Sequence, residues 1–139
     1  MSPIIKGVAE IVINVRDLSG MQQFYEHVLG FRFHSQYPDT EPTIVFLTIS
    51  AIDSPLGYGG HPQLFALIDV KRDPHTKTTY ADIDNRRSAL NHLAFEIDPS
   101  ALLPEKQRLE ELGLSVEIHD FPHMQAKGLF FHDPENNMP

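Results

Sequence analysis

The stretch Asn91–Ile97, NHLAFEI, decides how the rest of the chain is read. Leu93, Phe95 and Ile97 alternate with His92, Ala94 and Glu96, the period-2 pattern of a short strand with one apolar face. On such a strand His92 and Glu96 share the other face. Two ionisable side chains belong beside a polar cavity rather than in a dry core, because burying them unpaired is costly. A similar stretch, AEIVINV at Ala9–Val15, lies 82 residues earlier, with Glu10 in the place of His92. The segments downstream of the two stretches also match. After Glu10 come Asp17, a helical run through Tyr25, and Leu29-Gly30; after His92 come Pro99, a second helical run, and Leu112-Gly113, with one extra residue in the second copy. Two strand–helix–strand units with an ionisable group at the same place imply a folded-over duplication with a shared site.

The remaining elements come in order. Asp17 and Ser19 offer side-chain oxygens to free amides at a helix start. Met21, Phe24, Tyr25 and Val28 fall at i, i+3, i+4 and i+7, one apolar helix face, and Gly30 suits the left-handed residue that ends a helix. Strands are predicted over Phe31–Gln36, Thr43–Ile49 and Gln63–Val70, with turns at Pro38–Pro42 and a Gly-rich loop at Ser50–His61. Lys71–Leu90 is a polar connection of about 20 residues, a length uncommon inside compact domains. It separates a first module, about 5–70, from a second, about 91–139, within one domain. The second module repeats the order: a helix over Ala101–Leu112 with Pro104 near its first turn, strands at Leu114–His119 and Gly128–His132, and a tight turn at Asp133–Asn137. A further strand is expected after that turn, where the sequence ends at Pro139.

Composition narrows the function classes. The net charge is −8 and no basic cluster exceeds Arg86-Arg87, so nucleic acid, whose binding rests on many Lys/Arg–phosphate contacts, is not an expected partner. No apolar run approaches the roughly 20 residues that span a bilayer. The chain has no cysteine, which removes disulfides and thiolate sites and fits a reducing, cytoplasmic setting. The Gly57–Gly60 segment GYGG lacks phosphate-loop spacing and a following helix, and no serine nucleophile elbow is present.

Three stretches together carry a family resemblance: NVRDLSGMQQFYEHVLGF (Asn14–Phe31), LNHLAFEI (Leu90–Ile97) and FFHDPENN (Phe130–Asn137). They resemble the vicinal oxygen chelate superfamily, which includes glyoxalase I, fosfomycin and bleomycin resistance proteins and extradiol dioxygenases. The resemblance implies an α+β fold of paired βαβββ modules, here with the last strand missing, usually completed in a homodimer. It also implies a divalent metal (Fe, Mn, Mg or Zn) that chelates two neighbouring oxygens of a small-molecule substrate. His92 matches the family's histidine on the first strand of the second module. Seven residues before Asp17, where the family usually has histidine, this chain has Glu10. The last family ligand falls at position 140, seven residues after Asp133 and one beyond the sequence.

Glu10 and His92 are thus the expected metal ligands. A neutral imidazole suits Zn, Fe, Ni and Mn, whereas a carboxylate favours harder ions. His123, near Phe121-Pro122, is the candidate acid or base. Phe121 and Phe130 are candidate substrate contacts, Phe130 standing where extradiol enzymes usually carry Tyr. His61, His75, Tyr58, Tyr80 and Lys127 are lesser candidates by loop placement. The expected function is a metal-dependent enzyme of the glyoxalase/dioxygenase type. Its rival is a metal-free drug or metabolite binder of the bleomycin-resistance type, because function lives in the site and not in the fold.

Overall fold

The structure, a computed structural model, describes residues 7–50, 62–72 and 90–137. They belong to two compact units, Met1–Asp82 and Ile83–Pro139, each described by itself. The first contains β1 (Glu10–Val15), α1 (Leu18–His27), β2 (Arg32–Tyr37), β3 (Ile44–Thr48) and β4 (Leu64–Asp69). Each strand lies within one residue of the bounds predicted from the sequence.

Helix α1 begins where Asp17 supplies an acceptor. Its Oδ1 takes the Gly20 N–H at 3.0 Å, satisfying one of the amides that a first helical turn leaves unpaired. Leu18, Met21, Phe24 and Tyr25 are buried, so the predicted stripe is the packed face. The helix ends at Gly30, at φ +75°, beyond which the Phe31 N–H donates to the Tyr25 carbonyl at 3.0 Å. Under the helix the Tyr25 ring lies 4.5 Å from Phe65 and 5.7 Å from Phe31, and Tyr25 and Phe65 are fully buried. Truncating one such ring to alanine costs about 3–5 kcal/mol.

The four strands form one sheet in the order β1-β4-β3-β2, with β1 parallel to β4 and the other neighbours antiparallel. Ile13, Val15, Val45, Leu47, Phe65 and Leu67 are buried on the face that meets α1. Directly opposed residues share a face, so the register fixes what the other face carries. Arg32, Thr48, Leu64 and Glu10 make one row across the four strands; Ser35, Phe46, Ala66 and Val12 make the next; Tyr37, Ile44, Ile68 and Asn14 make the third. The register of β2 shifts between Phe33 and Ser35, leaving His34 as an extra residue in a β-bulge.

The second unit departs from the strand expected at its start. Asn91–Ile97 forms no strand. Its alternation persists in part, with Leu93 buried, Phe95 half-buried and His92, Ala94 and Glu96 exposed, but Ile97 is exposed as well. A strand exists by its ladder. In the first unit β1 is held by β4, whereas in the second the described strands, β5 (Glu117–Phe121) and β6 (Ala126–Phe130), pair only with each other. Among the described residues no strand is laid beside Asn91–Ile97, so its apolar pattern is not drawn into a ladder there.

Ahead of that hairpin a 3-10 turn at Pro99–Ala101 leads into α2 (Leu102–Glu111), with Pro104 in its first turn. Asp98 caps the turn, accepting the Ser100 N–H at 2.9 Å and its hydroxyl at 2.7 Å, bonds that hold its carboxyl below the usual range. Gly113, at φ +90°, ends the helix. The hairpin is offset from the predicted strands by about two residues on each side. A 3-10 turn at Pro122–Met124, closed by the Gln125 N–H donating to the Pro122 carbonyl at 3.1 Å, sets Phe121 opposite Ala126, so the ladder starts at the turn itself. The turn at Asp133–Asn137 forms as expected. The buried Asp133 carboxylate accepts the N–H groups of Glu135 and Asn137 and the Asn137 side-chain amide, each at 2.9 Å. The architecture is α+β, as the sequence predicts. No helix among the described residues is long and apolar enough to cross a membrane.

Candidate functional site

Glu10 opens β1 on the sheet face away from α1, exposed and opposite Leu64. Its carboxylate makes no hydrogen bond or ion pair among the described residues, which leaves both oxygens available as donors to a hard cation.

His92 is oriented by its neighbour in the chain. Its Nδ1 lies 2.7 Å from Asn91 Oδ1. A carboxamide oxygen only accepts, so Nδ1 donates this bond, and in the neutral ring Nε2 carries the lone pair. This is the arrangement by which a second hydrogen bond orients a metal-binding imidazole. The ring is exposed and packs edge-on to Phe130 at 5.9 Å.

Phe130 is the hub of the second unit's cluster. Glu117, His119 and Phe121 stand opposite Phe130, Gly128 and Ala126, and all share one face of the hairpin. The Phe130 ring leans over Gly128, where a Cβ would come 2.8 Å from Phe130 Cε2. That leaves His119 edge-on to the ring at 4.8 Å and Phe121 6.0 Å away. Phe121 and Phe130, both half-buried, thus lie together on this face. His119 Nε2 lies 3.1 Å from Glu117 Oε2, so a carboxylate orients the imidazole. His123 sits in the 3-10 turn, exposed, with a ring contact to Phe121 at 6.3 Å and no hydrogen bond among the described residues. A sequence reading passes over His119 because Glu117, Ile118, His119 and Asp120 show no apolar alternation. The signal it could use is the Glu-x-His spacing, which places both side chains on one face of a strand.

Among the described residues no group of three His, Asp or Glu is assembled to hold a metal ion. Glu10 and His92 each have the chemistry of a ligand. The Asp133 carboxylate, saturated by its own turn, has a structural task instead. A shallow concavity of about 430 Å3 on α2, lined by Leu103, Lys106, Gln107, Glu110 and Glu111, contains none of the candidates and is a charged helix surface. His61, His75, Tyr58 and Tyr80 lie outside the described residues, and Lys127 is exposed on β6.

The chain is similar in structure to several solved proteins. An integron cassette protein from the mobile metagenome of a Halifax Harbour sewage outfall is 26% identical, with a TM-score of 0.69 and 96% of this chain and 95% of that one covered. A lactoylglutathione lyase from Agrobacterium tumefaciens is 20% identical over 96% of this chain and 90% of that one, with a TM-score of 0.67. The fosfomycin resistance protein FosX from Listeria monocytogenes, in complex with Mn(II) and 1S,2S-dihydroxypropylphosphonic acid, is 15% identical over 97% and 89%, also at a TM-score of 0.67. No curated protein matches the chain. Residues 7–138 match the family described as the glyoxalase/bleomycin resistance protein/dioxygenase superfamily. The fold, the landmark motifs and a match over nearly the whole sequence agree, and the chain belongs to that superfamily.

Proposed function

We propose that the protein is a metal-dependent enzyme of the glyoxalase/dioxygenase type, acting as a cytoplasmic homodimer on a small molecule with vicinal oxygens. Glu10 and His92 would hold the divalent ion. The observation that carries this reading is the His92 hydrogen bond: Nδ1 is committed to Asn91, which leaves Nε2 of the neutral, exposed ring as the nitrogen for an ion. Glu10 supports it by offering an unpaired carboxylate. When bound, the ion would supply Lewis acidity to two neighbouring substrate oxygens.

The chain's own residues have separable tasks in this reading. Phe121 and Phe130 give the substrate an apolar contact. His119 is a stronger proton carrier than the expected His123, because Glu117 holds its ring in one orientation. Proton transfer would use Nδ1, since Nε2 faces Glu117. The metal-free binder is the second reading, in which the paired rings of Phe121 and Phe130 supply the ligand's apolar contact.

Metal analysis and titration calorimetry with Mn(II) separate the two, using wild type, Glu10→Ala and His92→Ala. Loss of one of few ligands should weaken binding at least tenfold in each variant. Affinity should also fall on acidification, because protons compete for the imidazole and carboxylate. Stoichiometric metal in all three proteins would relocate the site. Negligible metal in all three would leave the binder.

A further inference from the structure

The face of the four-stranded sheet away from α1 is chemically graded, and the grading specifies a ligand. Its middle row is apolar over three strands, through the half-buried Phe46 on β3, the fully buried Ala66 on β4 and the exposed Val12 on β1. The neighbouring row begins with Arg32 on edge strand β2 and ends with Glu10 on edge strand β1. Strand spacing of about 4.8 Å sets these two residues about 14 Å apart across the sheet.

The Arg32 end collects donors. Arg32 is exposed and makes no ion pair among the described residues, in a chain whose net charge is −8. Thr48 stands opposite it, its hydroxyl donating to the Arg32 carbonyl at 3.4 Å. The β-bulge at His34 turns that side chain beside Ser35, whose Oγ lies 2.8 Å from His34 Nδ1. Ser35 itself opens the apolar row beside Phe46. A guanidinium with the Ser35 hydroxyl and the His34 imidazole nearby is a recognition set for an oxyanion, and Arg is suited to gripping one bidentately.

We propose that this face binds an amphipathic organic acid. Its carboxylate or phosphonate pairs with Arg32, its apolar body lies on Phe46 and Val12, which flank the buried Ala66, and its far end reaches toward Glu10. This names the substrate class of the site proposed above and rests on that reading for the role of Glu10, but not for the role of Arg32.

The test uses three probes of one shape: 3-phenylpropanoate, 2-phenylethylphosphonate and the neutral 3-phenylpropanamide. Binding is measured by calorimetry or ligand-observed NMR on the full chain, without metal and again with Mn(II). Wild type should prefer at least one acid over the amide by about three- to tenfold at low salt, the range of a surface Arg–oxyanion pair. The preferred acid identifies the oxyanion. Arg32→Gln should abolish the preference while leaving amide binding unchanged, and Arg32→Lys should restore part of it. Lys71→Gln removes the same charge just beyond the opposite end of β4 and should leave the preference intact. Equal affinity for acid and amide, no detectable binding of either acid, or a preference that survives Arg32→Gln would overturn the proposal. The metal-free arm keeps this outcome separate from the metal reading: a preference that persists without Mn(II) stands even if Glu10 and His92 bind no ion.

Discussion

The carboxylate of Asp17 accepts the Gly20 N–H at 3.0 Å, and a Cβ on residue 20 would stand only 2.2 Å from the other oxygen of that carboxylate. The cap and the glycine are therefore one device. Helix propensity alone says that Gly20→Ala should stabilise α1 by about 1 kcal/mol. The displaced cap costs about as much, so the single variant should gain nothing and lose up to about 1 kcal/mol. In an Asp17→Ala background the same change should stabilise, because no cap remains to lose. Chemical denaturation of the four proteins gives the coupling, and simple additivity would show that the cap and residue 20 are independent.

Gly128 has a comparable role beside the candidate site. A Cβ there meets the outer edge of the Phe130 ring at 2.8 Å, and a ring edge can swing aside, so Gly128→Ala should cost under about 1 kcal/mol. What it should disturb is geometry. The His119 and His92 rings both pack against Phe130, at 4.8 and 5.9 Å, and their ring-proton shifts should move in NMR spectra of the variant. Unchanged histidine shifts would mean that Phe130 is not their shared wall.

On α2 the Arg108 Nε donates to Glu105 Oε2 at 2.9 Å, and this bond holds the Glu105 carboxyl below its usual range. A carboxyl depressed in the folded state binds fewer protons than in the unfolded chain, so its stabilisation is present at neutral pH and lost as pH falls through the folded value. The pair is partly exposed, which limits it to about a few tenths of a kcal/mol. Glu105→Gln should be less stable than wild type by that amount near pH 7, with the gap closing in acid. A gap that widens in acid would contradict the assignment.

Elements whose causes are local were legible in the residues. The α1 stripe, its Asp17 cap and the glycines that end both helices rest on contacts within a few positions of one another. The four strands of the first unit were legible because runs with β-branched or aromatic residues lie between clear turn and loop signals. The family, too, is written in short motifs, and Glu10 and His92 could be named from their places in them.

What needed a partner strand was decided only by the tertiary structure. NHLAFEI has a strand's pattern but forms no strand, since pairing is a property of two segments and the described strands of the second unit, β5 and β6, pair with each other. The hairpin slid toward its turn because Pro122–Met124 and Gln125, not the side-chain pattern, set which residues face each other. The same register joined His119 to Glu117 and Phe130, and in the first unit pairing lined Arg32 up with Glu10 across four strands. Cross-strand neighbours stand about 5 Å apart whatever their separation in sequence, and only backbone pairing chooses them.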